Sequence, residues 1–339
     1  MNMKALVCTI PHQFDYTVAP MPVAGEGETL LKIERIGICG TDLHAYEGTQ
    51  PYFNYPRILG HELAATIVNT KANGFNVGDA VTIIPYMHCG ACIACKSNKH
   101  NCCVNMKVFG VHIDGGMRAY VNVPDTALVK SGGLSLDELA LVEPLAIGAH
   151  AIKRAAVAPN EFVLVMGAGP IGLGIAAFAK IAGAQVIMVD VNDSRLGFCK
   201  NLLGIEHTIN PLTQNVEDVC KQITSNDMPT VVMDAPGNLN AINNAFAYLA
   251  HGGRYVLVGL QKEHISFSHP EFHKREATLM SSRNANTQDF NYVIDCIQKG
   301  LVKPSSLITH KVSFAEVADH FESWLNPATG VVKAMVVFE

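Results

Sequence analysis

A chain of 339 residues is too long for one ordinary hydrophobic core, and its length implies about two domains. Hydrophobic residues make up 49% of it, ample for burial, while a net charge of −5 with no Lys/Arg block excludes a basic surface for nucleic acid. The start of the chain carries one lysine and only the short apolar run Ala5–Ile10 before Pro11, too little for a secretory leader; this points to the cytoplasm, where the ten cysteines are expected as thiols or metal ligands rather than disulfides.

From Met3 to Ile38, short alternating segments broken by Pro11, Pro20, Pro22, Gly25 and Gly27 predict an irregular β-rich domain. GICGTDLH (Gly37 to His44) follows, then a loop with Pro51 and Pro56, then Gly60-His61-Glu62. A lone cysteine is usually a small core hydrophobe, and a lone histidine a satisfied structural one. Taken together, the cysteine, histidine and carboxylate residues of these two stretches supply the donor types that zinc takes in catalytic sites, where about three protein groups leave a position for water or substrate.

The spacing Cys89-x2-Cys92-x2-Cys95-x7-Cys103 is the most specific pattern in the sequence. Four thiolates on one short loop predict a closed tetrahedral site, which is structural zinc chemistry. An iron–sulfur cluster is the rival, but its run continues with three residues and then Cys-Pro, whereas here seven intervene and Val104 follows.

Residues Val108 to Val129 return to β-rich alternation around Gly115-Gly116, and Ser135 to Arg154 predicts a helix with Ser135, Asp137 and Glu138 as start signals. Glu143 lies in this stretch beside Pro144 in apolar company, where a carboxylate is costly to bury unless paired or metal-bound. An exposed helix glutamate is the plainer alternative.

Phe162 to Asp190 predicts one βαβ unit: an apolar strand to Met166, the turn Gly167-Ala168-Gly169-Pro170-Ile171-Gly172, a small-residue helix to Lys180, and a second strand closed by Asp190. Gly167 permits the tight turn, Gly169 the approach of backbone N–H groups to a pyrophosphate, and Gly172 close helix–strand packing; Asp190 stands where a carboxylate accepts from a ribose hydroxyl. The uncharged stretch Phe162 to Ala179 is long enough to span a bilayer, but its Gly/Pro cluster and flanking β-rich runs argue against a membrane helix. Further strands at Pro229–Asp234 and Arg254–Gly259 continue the alternation of a doubly wound parallel sheet, with cofactor groups expected near Pro236 and Val258 at their carboxyl ends.

The chain resembles the zinc-dependent medium-chain alcohol/polyol dehydrogenases. The resemblance rests on GICGTDLH, GHE, GDAVTIIP (Gly78 to Pro85), the four-cysteine lobe, DGGMRAY (Asp114 to Tyr120), VEPLAIGAHA (Val142 to Ala151), GAGPIGL (Gly167 to Leu173) and SRNAN (Ser282 to Asn286), in that order across essentially the whole length. It departs from the family's usual pattern at Ala65 and Lys71, where glycines are common, which bears on the strand after Glu62 and not on the ligands.

The resemblance implies an α/β fold in which a β-rich GroES-like catalytic domain (1–150, with a zinc lobe at 86–104, resuming at 283–339) is interrupted by a Rossmann domain at 151–282. It implies a catalytic zinc on Cys39, His61 and Glu62 with Glu143 as alternative ligand, a structural zinc on Cys89, Cys92, Cys95 and Cys103 with Cys102 a bystander, and a proton path through Thr41 and His44. NAD is the implied cofactor, with Arg195 beside its adenine ribose, and a homodimer or homotetramer the implied assembly. Segments around Gly48–Arg57, Gly110–Gly116 and Ser268–Ala285 resemble dehydrogenases that oxidise C5 of a hexonate such as L-gulonate or L-galactonate. Arg283 is then a candidate either for gripping the substrate carboxylate or for contacting cofactor. A sorbitol-like polyol or L-threonine is the alternative substrate, and a catalytically silent binding protein the reading from another class.

Overall fold

The computed structural model describes residues 2–339, which divide into two compact units: residues 2–144 with 285–339, and residues 145–284. The first unit opens with a hairpin of β1 (Asn2–Ile10) and β2 (Gln13–Pro20). Then come β3 (Glu28–Gly37), α1 (Gly40–Tyr46), β4 (Glu62–Asn69) and β5 (Ala80–Ile83). A small lobe holds β6 (Tyr86–Met87), the single turn α2 (Ile93–Lys96) and β7 (Lys107–Val108), followed by β8 (Tyr120–Pro124), β9 (Leu128–Lys130) and α3 (Leu136–Ala140). The next helix, α4 (Val142–Ala155), spans the boundary between the units in sequence.

The second unit alternates strand and helix without exception: β10 (Phe162–Met166), α5 (Pro170–Ile181), β11 (Gln185–Val189), α6 (Asp193–Leu203), β12 (His207–Ile209), α7 (Val216–Ile223), β13 (Val231–Asp234), α8 (Leu239–Ala245), β14 (Arg254–Leu257), α9 (His269–Lys274) and β15 (Thr278–Ser281). All its pairings are parallel and the order is β12-β11-β10-β13-β14-β15, so the chain reverses direction across the sheet between β10 and β13. That is the doubly wound arrangement, and it explains the composition: β10 reads FVLVM because covering helices leave neither face to water. Leu164, Ile187, Val232 and Tyr255 form the centre of this core.

The chain then returns to the first unit with α10 (Thr287–Gln298), β16 (Ile308–Ser313), α11 (Val317–Phe321) and β17 (Lys333–Val337). The large sheet runs β16-β17-β3-β4-β5-β9, and β8 also pairs with β3. β3 is its hub, with Leu31, Ile33 and Ile36 fully buried against Leu63, Val336 and Phe321.

Local structure corrects the predicted boundaries in three places. The helix expected from Ser135 to Arg154 breaks at Leu141 (φ −93, ψ 2) and restarts at Val142; Pro144 is tolerated because it falls in the first turn, where its missing N–H has no helical partner to lose. The strand expected from Pro229 begins at Val231, and the strand expected to reach Gly259 stops at Leu257. Beyond Leu257 the N–H groups of Val258 and Gly259 both turn to the Asp234 carbonyl, at 2.9 Å each, and leave the ladder. Phe162 to Ala179 divides into β10 and most of α5, and no helix among the described residues is long and apolar enough to cross a membrane.

Candidate functional sites

In the first unit, β3 delivers the chain to Cys39, which is the N-cap of α1 (φ −89, ψ 155). Asp42, one turn on, folds its carboxylate back and accepts the Cys39 N–H at 3.0 Å and the Gly60 N–H at 3.1 Å. The start of α1 is thereby tied to the segment Gly60-His61-Glu62. Gly60 adopts φ +91, which favours glycine, and its carbonyl lies 2.4 Å from where a Cβ on Gly115 would stand. Glu62 opens β4 directly across from Gly37. The ligand atoms of Cys39, His61 and Glu62 consequently all lie within 4.8 Å of one another.

The surroundings are dry and rich in negative charge: Asp42, His61, Glu62, Glu143 and Lys333 are all buried. Lys333 donates to both oxygens of Glu62 at 2.7 Å and to the Ile38 carbonyl at 2.9 Å. Glu143, in the first turn of α4, accepts a hydrogen bond from the Tyr86 hydroxyl. Burial first, and the Glu62 charge after it, push the Glu143 carboxyl up to about 7, although His61 and Tyr86 pull it down. For His61 burial would depress the imidazolium, but the charges of Asp42 and Cys39 prevail and hold its pKa well above the ordinary value. Its Nδ1 is 3.7 Å from Asp42 Oδ1, buried and without a hydrogen-bond partner.

A buried site that favours a cation this strongly, with a thiol, an imidazole and a carboxylate converging, fits a zinc ion. Thr41 lies half-buried and His44 exposed, three residues apart and so on one face of α1. His44 Nδ1 sits 3.1 Å from Thr49 Oγ1 and 3.3 Å from a Glu47 carboxylate oxygen.

The lobe after β6 gathers Cys89, Cys92, Cys95 and Cys103 into a second group of mutually close ligand atoms, with Cys102 exposed outside it. The sulfurs of Cys89 and Cys103 are 3.5 Å apart, as are those of Cys92 and Cys95, and Cys92 and Cys103 are separated by 3.9 Å. Thiolates about 2.3 Å from a tetrahedral zinc have their sulfurs roughly 3.8 Å apart, so this cage has the right size. Backbone N–H groups of Cys95 and Val104 hold the Cys92 thiol down at about 6, while burial pushes Cys95 up to about 12. The four cannot ionise together without a cation among them.

In the second unit, Gly167 leaves β10 with φ +88, and Gly169 caps α5 with Pro170 and Ile171 behind it. Nothing lies within 4 Å of a Cβ built on Gly169, whereas one on Gly172 would collide with the Gly167 carbonyl. Asp190, just past β11, accepts the Ala168 N–H at 2.6 Å and the Asn192 N–H at 2.8 Å, which fixes its carboxylate beside the glycine turn. Arg195 is half-buried in the first turn of α6, its N–H bound to Asn192 Oδ1 at 3.2 Å. Val258 lies half-buried in the loop after β14. Arg283 is exposed, two residues past β15.

Four buried groups at these sites carried no assignment from sequence. Asp42 was visible within GICGTDLH but not as a carboxylate that bonds Cys39 and Gly60. Tyr86 looked like a strand residue in IIPYMHC. Lys333 interrupts an apolar C-terminal strand, and that interruption was its one signal. Asp234, at the end of β13, accepts the Gly237 N–H at 3.2 Å through one oxygen and has no partner at the other.

Known proteins match the chain along nearly its whole length. Residues 25–133 match the alcohol dehydrogenase GroES-like domain family, and residues 170–299 the zinc-binding dehydrogenase family. An L-galactonate-5-dehydrogenase of Escherichia coli (strain K12) is 40% identical over 339 residues, covering 99% of either chain. A sorbitol dehydrogenase of Bacillus subtilis (strain 168) is 33% identical, with 99% of this chain and 97% of that one covered. Among solved structures, an alcohol dehydrogenase from Escherichia coli CFT073 complexed with NADH superimposes with a TM-score of 0.93 at 31% identity, covering 99% of both chains.

Proposed function

Because the chain belongs to the zinc-binding alcohol dehydrogenase family, we propose that it oxidises a secondary hydroxyl of a sugar acid, C5 of a hexonate such as L-galactonate or L-gulonate, with NAD+ as acceptor. The observation that carries this reading is the convergence of Cys39, His61 and Glu62 within 4.8 Å in a chain 40% identical to an L-galactonate-5-dehydrogenase. The zinc held by these three residues supplies Lewis acidity toward a substrate hydroxyl, and bound NAD+ supplies the hydride acceptor.

The chain's own residues do the rest. Asp42 receives the Cys39 and Gly60 N–H groups and so holds the two ligand segments together around an orientable His61. Thr41 opens a proton relay, its hydroxyl passing its own proton on as it takes the one from the substrate hydroxyl, and His44, exposed on the same face of α1, ends the relay at water. Glu143, whose hydrogen-bond donor is the Tyr86 hydroxyl, stands by as a second carboxylate rather than as the ligand. Cys89, Cys92, Cys95 and Cys103 hold the second zinc as a structural clip.

In the second unit the turn from Gly167 to Gly172 presents N–H groups to the pyrophosphate. An ionised carboxylate has about four acceptor sites, so Asp190, with two taken by backbone N–H groups, keeps capacity for ribose hydroxyls. NAD+ reduction over a panel of aldonates, neutral polyols and L-threonine tests the assignment. The hexonate is expected to lead. Turnover of sorbitol or L-threonine with none of L-gulonate or L-galactonate would leave only the family-level activity standing.

A further inference from the structure

Lys333 has no part in the reaction as described, yet it is among the most completely buried charged groups in the chain. It enters from β17, 271 residues away from Glu62, and its ammonium donates to both Glu62 oxygens at 2.7 Å and to the Ile38 carbonyl at 2.9 Å. Those contacts use the three protons an ammonium has. A buried lysine is costly unless paired, and a position within an apolar strand would otherwise take an aliphatic residue.

The opposite side of the carboxylate is bounded by backbone. A Cβ on Gly37 would lie 2.1 Å from Glu62 Oε2, so the absence of a side chain there is what makes room for the carboxylate. Glu62 is thus clamped between a glycine notch in β3 and an ammonium from β17. Glu143, another buried carboxylate of this site, has the neutral Tyr86 hydroxyl as its hydrogen-bond donor.

We propose that Lys333 is a positioning residue of the metal centre: by fixing both oxygens of Glu62 in the Gly37 notch and neutralising its charge, it makes Glu62, and not Glu143, the carboxylate that joins Cys39 and His61. The inference rests on the reading that Cys39, His61 and Glu62 hold the zinc. It also accounts for the difference between the two carboxylates. Glu62 is held at both oxygens by a fixed cation, whereas the hydrogen-bond donor at Glu143 is the neutral Tyr86 hydroxyl.

The test compares the zinc-loaded parent with Lys333→Met, Glu62→Gln and the double variant. Zinc retained per chain against a chelator, the visible spectrum with cobalt in the catalytic site, and kcat and KM are read for each. Loss of an outer partner of a metal ligand typically costs about 10- to 100-fold in metal affinity. Lys333→Met is expected to release the catalytic zinc at a chelator concentration at least about tenfold lower while keeping the lobe zinc, to shift the cobalt bands, and to lower kcat more than it changes KM.

The double variant is expected to match Glu62→Gln alone, because Lys333 then has nothing left to position; it buries neither charge, so the comparison survives if Lys333→Met does not fold. Parental chelator resistance and cobalt spectrum in Lys333→Met, or effects of the two substitutions that multiply, would overturn the proposal. Unchanged zinc retention and cobalt spectrum in Glu62→Gln would instead show that Glu62 is no ligand, removing the metal assignment and this inference with it.

Discussion

Gly172 sits so close over Gly167 that a Cβ on it would come within 1.7 Å of the Gly167 carbonyl oxygen. That oxygen is backbone and cannot move without opening the turn between β10 and α5. Gly172→Ala is therefore expected to cost at least about 3 kcal/mol and to abolish NADH binding. Gly169→Ala, with open space at its Cβ and φ −79, should fold normally and weaken only the cofactor. Thermal scans with NADH titration separate the two; parental affinity in Gly172→Ala would show that the tight contact is dispensable.

The two metal groups should respond differently to loss of a ligand. Elemental analysis is expected to give two zinc ions per chain. Cys39→Ser or His61→Ala should leave one zinc, no turnover and a melting temperature close to the parent's. Cys103→Ser should destabilise the lobe, because metal binding at a closed site contributes folding energy. Iron in the preparation, or equal loss of both ions in all variants, contradicts the assignment.

Asp190 should set the preference for NAD+ over NADP+. A fixed carboxylate beside the glycine turn accepts from a ribose hydroxyl and repels a 2′-phosphate. Asp190→Ala is expected to move the ratio of kcat/KM values toward NADP+ by about tenfold or more. An unchanged ratio would place the discrimination elsewhere.

Burial holds the Asp234 carboxyl up at about 6, from an ordinary value of 3.8. Between those values the folded chain keeps a proton that the unfolded chain has released, so this residue's contribution to stability falls as pH rises through that window. Asp234→Asn, neutral at every pH, should gain on the parent by about 1.4 kcal/mol as pH goes from 5 to 8, the part of the window that lies above pH 5. Urea midpoints of the two proteins at several pH values measure the gap, and a constant difference would contradict it.

Sequence offers Arg283 two roles, gripping the substrate carboxylate or contacting cofactor, and the first is the one a substitution tests. Arg283→Met should then raise KM for a hexonate at least about tenfold while changing KM for a neutral polyol little, since a fork of N–H donors has no charged partner on the latter. A parallel rise for both substrates would assign Arg283 to cofactor or to its own loop.

Much of this protein was legible in its sequence because its chemistry is local. The dinucleotide turn needs glycines at fixed offsets, the lobe needs four thiols on one loop, and strand–helix alternation announces a parallel sheet. Family, fold class and enzyme type follow from those short-range signals and stand. What sequence did not show is what acts at long range. Lys333 and Glu62 meet only because β17 and β4 both flank β3, and Tyr86 reaches Glu143 from a different element. Strand ends were misplaced where a carbonyl such as that of Asp234 captures N–H groups that would otherwise extend a ladder. Substrate choice is less legible again, since an exposed residue such as Arg283 fits two roles by type alone.

The order β16-β17-β3 has a consequence for synthesis on the ribosome. Residues 145–284 are continuous and can fold once they emerge, whereas the sheet of the first unit stays open until β17 arrives to pair with β3. Cys39, His61 and Glu62 are among the early residues made, but their counter-charge is among the last. The nascent chain thus carries a half-built anionic pocket through most of translation, and a transcript cut short just before residue 333 would yield a protein with every zinc ligand present and the clamp on Glu62 missing.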